Sequence, residues 1–191
     1  MKRRKAIGSI LLAGGALAVG AGGYEWYSLK KLPDIHYLLS KKDLLAALAD
    51  TIIPSTDTPG ALEAGAVDYM LRFLTECTET KTLNRFISGL DSLESYTRSQ
   101  FNRDYTLCNQ EEKEKVLNYF EQMSDTTHSS LEKIKSRITG KAFFETLKYY
   151  TVHSYCISEK GASMGMHYIA VPGKFLSCIP LEPNQKAWAT K

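Results

Sequence analysis

Histidine and cysteine are the residue types that most readily carry acid–base, nucleophilic or metal chemistry, and here their spacing assembles no familiar site. The histidines are His36, His128, His153 and His167. No H-x-x-x-H or H-E-x-x-H occurs, so no helix presents two imidazoles to one metal ion. His153-x-x-Cys156 places a ligand-type pair on one helical face, with nothing nearby in sequence to complete a coordination shell. The cysteines, Cys77, Cys108, Cys156 and Cys178, lie 31, 48 and 22 residues apart. They form no C-x-x-C, which excludes the usual zinc and iron–sulfur patterns, and no C-x-x-C-H for covalent haem. There is no G-x-S-x-G to expose a serine nucleophile, no G-x-G-x-x-G behind a strand and no P-loop lysine. Asp50, Asp57 and Asp68 bracket one turn and could be imagined as paired acids. Their positions give each a structural role instead, Asp57 in the turn and the others in the helices beside it. A site around His153, Tyr155 and Cys156 is the one enzymatic reading left standing.

The elements that must position these residues read as helices. After a linker containing Pro33, Ser40 looks like an N-cap with Asp43 behind it. Leu44, Leu45, Leu48 and Ile52 then share one face, and Pro54 stops the helix. A polar turn follows, Ser55-Thr56-Asp57-Thr58-Pro59-Gly60, in which Thr58 is the expected cap of a second helix with Pro59 at its first position. Val67, Met70, Leu71 and Leu74 form that helix's apolar stripe. Phe86, Leu90 and Leu93 mark a third. Asn109 caps a fourth, with Glu111 and Glu112 where the dipole favours acids and a stripe of Val116, Leu117, Phe120 and Met123. A last helix is expected from about Ser130 to Ile157, with Phe143, Phe144, Leu147 and Tyr150 inward and Gly140 as its break. Period-two alternation is absent beyond a few residues, so the fold class is mainly α: a compact bundle of about five helices. From about 159, Gly161, Gly165, Pro172, Gly173, Pro180 and Pro183 impose an irregular tail. That tail keeps Met164, Met166, Tyr168, Ile169, Phe175 and Trp188, apolar residues that must pack on this domain or on a partner.

Charge separates the N-terminus from the rest. The chain has 191 residues with 24 Lys and Arg, 21 Asp and Glu, and a net charge of +3. Removing Lys2, Arg3, Arg4 and Lys5 leaves 20 basic residues against 21 acidic. The body therefore carries no basic excess, and nucleic acid is not an expected partner. Length and composition fit a single domain that buries roughly 70% of its unfolded surface. The leading segment, residues 1–23, has the order of an export signal: basic residues, then 19 uncharged ones from Ala6 to Tyr24, then small residues. Ala16-Leu17-Ala18 and Val19-Gly20-Ala21 are its candidate cleavage sites. Arg3-Arg4 followed by Lys5-Ala6-Ile7 is similar to a twin-arginine signal, with Ala6 where a Phe is common. An ordinary secretory signal and an uncleaved anchor fit the same segment, the latter with Tyr24, Trp26 and Tyr27 at the membrane interface. Residues 24–39 then form a linker and 40–191 the helical domain. An exported chain permits disulfides, and Cys156 with Cys178 is the favoured pair; buried free thiols are the alternative.

The stretch from Asp50 to Asp68, D-T-I-I-P-S-T-D-T-P-G-A-L-E-A-G-A-V-D, resembles the signature of the gluconate 2-dehydrogenase subunit 3 family. Its defining positions here are Asp50, Pro54, Thr56, Thr58, Pro59 and Gly60, followed by small residues Ala61, Ala64, Gly65 and Ala66 that allow close helix approach. The leader, the length and the Pro172-Gly173-Lys174-Phe175 segment ahead of Pro180 are similar too. The resemblance implies a non-catalytic small subunit, with no cofactor of its own, in a periplasmic or membrane-associated complex acting on CH–OH donors. Its implied partner is a large FAD-dependent oxidoreductase subunit of the glucose–methanol–choline type, often with a cytochrome c subunit carrying haem c. The small subunit would supply the signal, read by the twin-arginine translocase, that carries the folded, FAD-loaded partner out. A free-standing exported helical structural or interaction protein is the rival reading. The export reading is open to test: Arg3→Lys with Arg4→Lys should leave this chain and the flavoprotein in the cytoplasm. Normal export of the double variant, followed by cell fractionation, would point to a general secretory signal.

Overall fold

In the computed structural model of the protein, the residues described are 29–125, 140–171, 173, 174, 178, 180, 181 and 183–189. They form six helices and no strand: α1 Ile35–Ser40, α2 Lys42–Ile52, α3 Ala66–Arg72, α4 Thr80–Phe101, α5 Gln110–Asp125 and α6 Phe143–Ile157. The mainly α architecture matches the sequence reading, with α1 as an addition to it.

Helix α1 exists because Asp34 caps it, accepting the Tyr37 N–H at 2.8 Å. Ser40 is not the cap of the following helix. It closes α1, its hydroxyl donating to the Tyr37 carbonyl at 2.7 Å, while α2 begins after Lys41 without a side-chain cap. The reason is tertiary. Tyr37 bonds to Asp91, and Lys41 pairs with Glu94 at 2.7 Å, so α4 holds the junction that a local cap would otherwise define. Helix α2 buries Leu44, Leu45 and Leu48, the face its spacing called for. Helix α3 runs into one π-helical turn, Phe73–Cys77, and α4 ends on Asn102 in the left-handed region at φ 53°. At the start of α5 the Asn109 side chain accepts the Glu112 N–H at 2.9 Å, and Glu112 accepts the Asn109 N–H at 3.0 Å. That reciprocal pair is the expected cap.

The last helix starts later than its apolar pattern implies. Gly140 sits at φ 85°, where the expected break falls, and regular winding begins only at Phe143. The part of that expectation before residue 140 lies outside the described residues. Helix α6 then takes the centre of the bundle, lying against α2, α3, α4 and α5. Phe143, Phe144 and Leu147 are buried there as expected, while Tyr150 is half-buried. Tyr105, in a short 3-10 turn after α4, is buried; it donates its hydroxyl proton to Thr51 at 3.1 Å, and burial pushes its pKa well above the usual phenol value. Leu147 is fully buried at the middle of α6. Leu147→Ala should therefore cost about 2–5 kcal/mol in urea unfolding, whereas Leu62→Ala, at a site 54% exposed, should cost under about 0.5 kcal/mol.

Candidate functional site

The turn after α2 is built from backbone. Ile53 is extended ahead of Pro54, as the pyrrolidine ring requires, and the chain then doubles back until the Ala61 N–H reaches the Ile53 carbonyl at 2.9 Å. Gly60 is the crossing point. A Cβ there would lie 2.6 Å from the Ser55 nitrogen and 2.9 Å from the Pro54 carbonyl carbon. The Thr56 N–H donates to the Thr58 carbonyl at 3.0 Å, and the Thr56 hydroxyl donates to Asp57 at 3.0 Å. Thr58 caps no helix, contrary to its expected role. Pro59 and Gly60 are buried against the returning chain, so winding from Pro59 yields only a short turn, with Ala64 N–H to Gly60 carbonyl at 3.0 Å. Gly65, left-handed at φ 68°, redirects the backbone, and α3 starts at Ala66. Ala61, Ala64 and Ala66 are buried, as close approach demands. The three acids around the turn do not converge. Asp50 is half-buried on α2, Asp57 bonds to Thr56, and Asp68 pairs with Lys42 at 2.6 Å in solvent.

Tyr155 closes this site from the far end of the sequence. Its hydroxyl donates to the Pro59 carbonyl at 2.9 Å, across 96 residues. The residues grouped with it by sequence do not join it. The His153 ring lies edge-on to Phe73 at 4.9 Å and stacks on Tyr149 at 5.6 Å, on the opposite face of α6. Cys156 is half-buried on that outer side, so no thiol–imidazole–phenol cluster forms. The expected Cys156–Cys178 bridge is not made either: all four cysteines are free. Burial raises the Cys108 thiol pKa, which disfavours the reactive thiolate there. Among the described residues no group of three or more His, Cys, Asp or Glu is placed to hold a metal ion.

The outer face of α6 carries aromatic and aliphatic side chains along with the exposed Glu145 and Lys148. Phe73 stacks on Tyr150 at 6.0 Å, Tyr149 meets Tyr150 at 5.2 Å, and Tyr149, Val152 and Ile157 are exposed. Beside this strip is a depression of about 210 Å³ where Thr78 donates to the Tyr150 hydroxyl at 2.7 Å. That volume is below what a small-molecule site usually offers. A larger hollow of about 520 Å³ lies in the tail, where the Lys186 ammonium is bound to the Met164 carbonyl at 2.6 Å and the His167 ring lies against Trp188 at 4.3 Å.

The tail is a closed loop. The His167 N–H donates to the Ala187 carbonyl at 2.8 Å and the Ala189 N–H to the His167 carbonyl at 2.9 Å, making a single parallel bridge between His167 and Trp188. Between these ends Tyr168 is 50% exposed, Val171 81% and Leu181 84%. Side chains at those exposures do not seal the core of this domain. Phe175 lies outside the described residues, as do Arg3 and Arg4 and the whole leader. Among the described residues no helix is long and apolar enough to cross a membrane.

No curated protein and no solved structure matches the chain. A family model does, that of gluconate 2-dehydrogenase subunit 3, over residues 40–173, which runs from the end of α1 through the turn and α6 into the tail loop. With that match covering more than half of its length, the chain belongs to the gluconate 2-dehydrogenase subunit 3 family.

Proposed function

We propose that this chain is the non-catalytic small subunit of an FAD-dependent, gluconate 2-dehydrogenase-like complex, and that it serves export and assembly of the flavoprotein subunit. Family membership supports the place in a multi-subunit dehydrogenase. The observation that carries the assembly role is the tail: a loop tied at both ends that holds Tyr168, Val171 and Leu181 in solvent. A soluble domain gains nothing from fixing such residues outward. A partner surface that covers them does, because apolar area removed from water is the main favourable term in association. The partner in this reading is the large subunit of the glucose–methanol–choline type, which binds FAD. A cytochrome c subunit with haem c takes the electrons onward.

Export follows from a constraint on the partner. FAD is loaded in the cytoplasm, so a loaded flavoprotein must cross the membrane folded, and a twin-arginine signal on a bound small subunit carries it. In this account Arg3 and Arg4 address the complex to the translocase. The mature complex works in the periplasm, and the leader, if retained, anchors it to the inner membrane.

Substitution in the tail tests the docking. Val171→Asp with Leu181→Asp replaces two exposed side chains, so the midpoint of thermal unfolding should stay within a few degrees of wild type. Capture of the co-expressed flavoprotein should fall by at least an order of magnitude, since interface anchors each contribute about 1–2 kcal/mol or more. Full capture by the double variant would remove the tail from the interface.

A further inference from the structure

We infer that Tyr155 is the positioning residue that sets where the tail loop leaves the bundle, so that the 54–60 turn and the root of the tail move as one unit. This rests on the reading above only for its consequence in docking.

Two parts of the chain meet at one phenol. On one side its proton goes to the buried Pro59 carbonyl at 2.9 Å. A buried carbonyl that loses its donor is left with a full desolvation cost, so the bond holds its two partners in register. On the other side stands the chain after α6, which winds into a π-helical turn, Gly161–Gly165. A Cβ at Gly165 would lie 2.2 Å from the Tyr155 hydroxyl oxygen and 2.9 Å from the ring carbon that bears it. The tail root is therefore pressed on the same atom that holds the turn. The backbone of Tyr155 is gripped as well. Its carbonyl accepts from the Ser158 hydroxyl at 2.7 Å, that hydroxyl accepts the Gly161 N–H at 3.1 Å, and a Cβ at Gly161 would fall 2.0 Å from the Tyr155 carbonyl oxygen. The last link is Lys186, whose ammonium donates to the Met164 carbonyl at 2.6 Å and so ties the returning end of the loop to this root. The contacts run without a gap from Gly60 and Pro59, through Tyr155, to Gly165, Met164 and the loop. Gly165 follows Tyr155 by ten positions, and the docking side chains begin at Tyr168. A displaced phenol would swing them.

Three variants of the full-length chain test this: Tyr155→Phe, Gly165→Ala and the double. The readout is the rate of trypsin cleavage after exposed Lys174, against cleavage within α4, followed by mass spectrometry. Tyr155→Phe keeps the ring and removes only the oxygen. It should raise tail cleavage about tenfold by freeing the root, with α4 unaffected. Gly165→Ala should do the same by steric displacement. The double variant should be cut no faster than either single one, because the added methyl then meets a ring without its oxygen. Wild-type tail cleavage in Tyr155→Phe, or single effects that multiply, would overturn the inference. So would equal acceleration in α4 and the tail, which would make Tyr155 an ordinary core residue. Capture of the co-expressed flavoprotein separates the two levels. A freed tail with unchanged capture contradicts tail docking and leaves the positioning role intact.

Discussion

The hydrogen bond from Tyr155 to the Pro59 carbonyl ties together parts of the chain that have no local reason to meet. The 54–60 turn is a loop of backbone folded on itself, and its own bonds fix its shape but not its place. Helix α6 has a place, at the centre of the bundle against four other helices. The bond transfers that position to the turn. Burial makes the transfer effective, since both groups have left water and breaking the bond would leave each unsatisfied. Gly60 and Gly165 then follow as requirements: each lacks the methyl that would strike a neighbouring backbone or the phenol.

Helix α6 also explains why the bundle has an apolar exterior. Tyr149, Val152 and Ile157 face solvent beside Phe73 and His153, on a helix whose exposed residues also include Glu145 and Lys148. The tail loop adds Val171 and Leu181 beyond the end of the same helix. These surfaces are rich in aromatic and aliphatic side chains, residue types common in interface cores, with the Lys141 ammonium lying over the Tyr149 ring at 5.2 Å. Chemistry is distributed differently. The titratable residues the sequence brings close together, His153 and Cys156, take part in ring packing and partial burial, and the acids near the turn are each held by a different neighbour or by none.

Local rules read this fold well where the determinants are local. The α2 stripe, the Asn109 cap and the break at Gly140 were all legible, because each depends on residues within one or two turns. Ser40 and Thr58 misled for a shared reason. Both satisfy the composition of an N-cap, but the helix starts were decided elsewhere, by α4 gripping Tyr37 and Lys41 and by the backbone crossing at Gly60. The part of the site that sequence missed is its centre. Nothing in the spacing of Pro59 and Tyr155 brings them together. One signal was present, though: Tyr155 falls on the same helical side as Phe144, Leu147 and Thr151, and a phenol turned into a core needs an acceptor. Gly161 and Gly165 have the composition of helix breakers, but their use is close approach. The resemblance in the 50–68 stretch supplied what geometry alone does not, the family.

The central claim is that this chain is a subunit whose tail meets a flavoprotein. Cross-linking of the purified co-expressed complex with a lysine-reactive reagent tests it most directly, because Lys174 and Lys186 lie in the tail while Lys42 and Lys113 lie on other helices. The account predicts a stable complex containing FAD, with links from Lys174 or Lys186 to the large subunit. A chain that migrates alone, or a complex whose links to the flavoprotein arise from Lys42 and Lys113 and never from the tail, would contradict it.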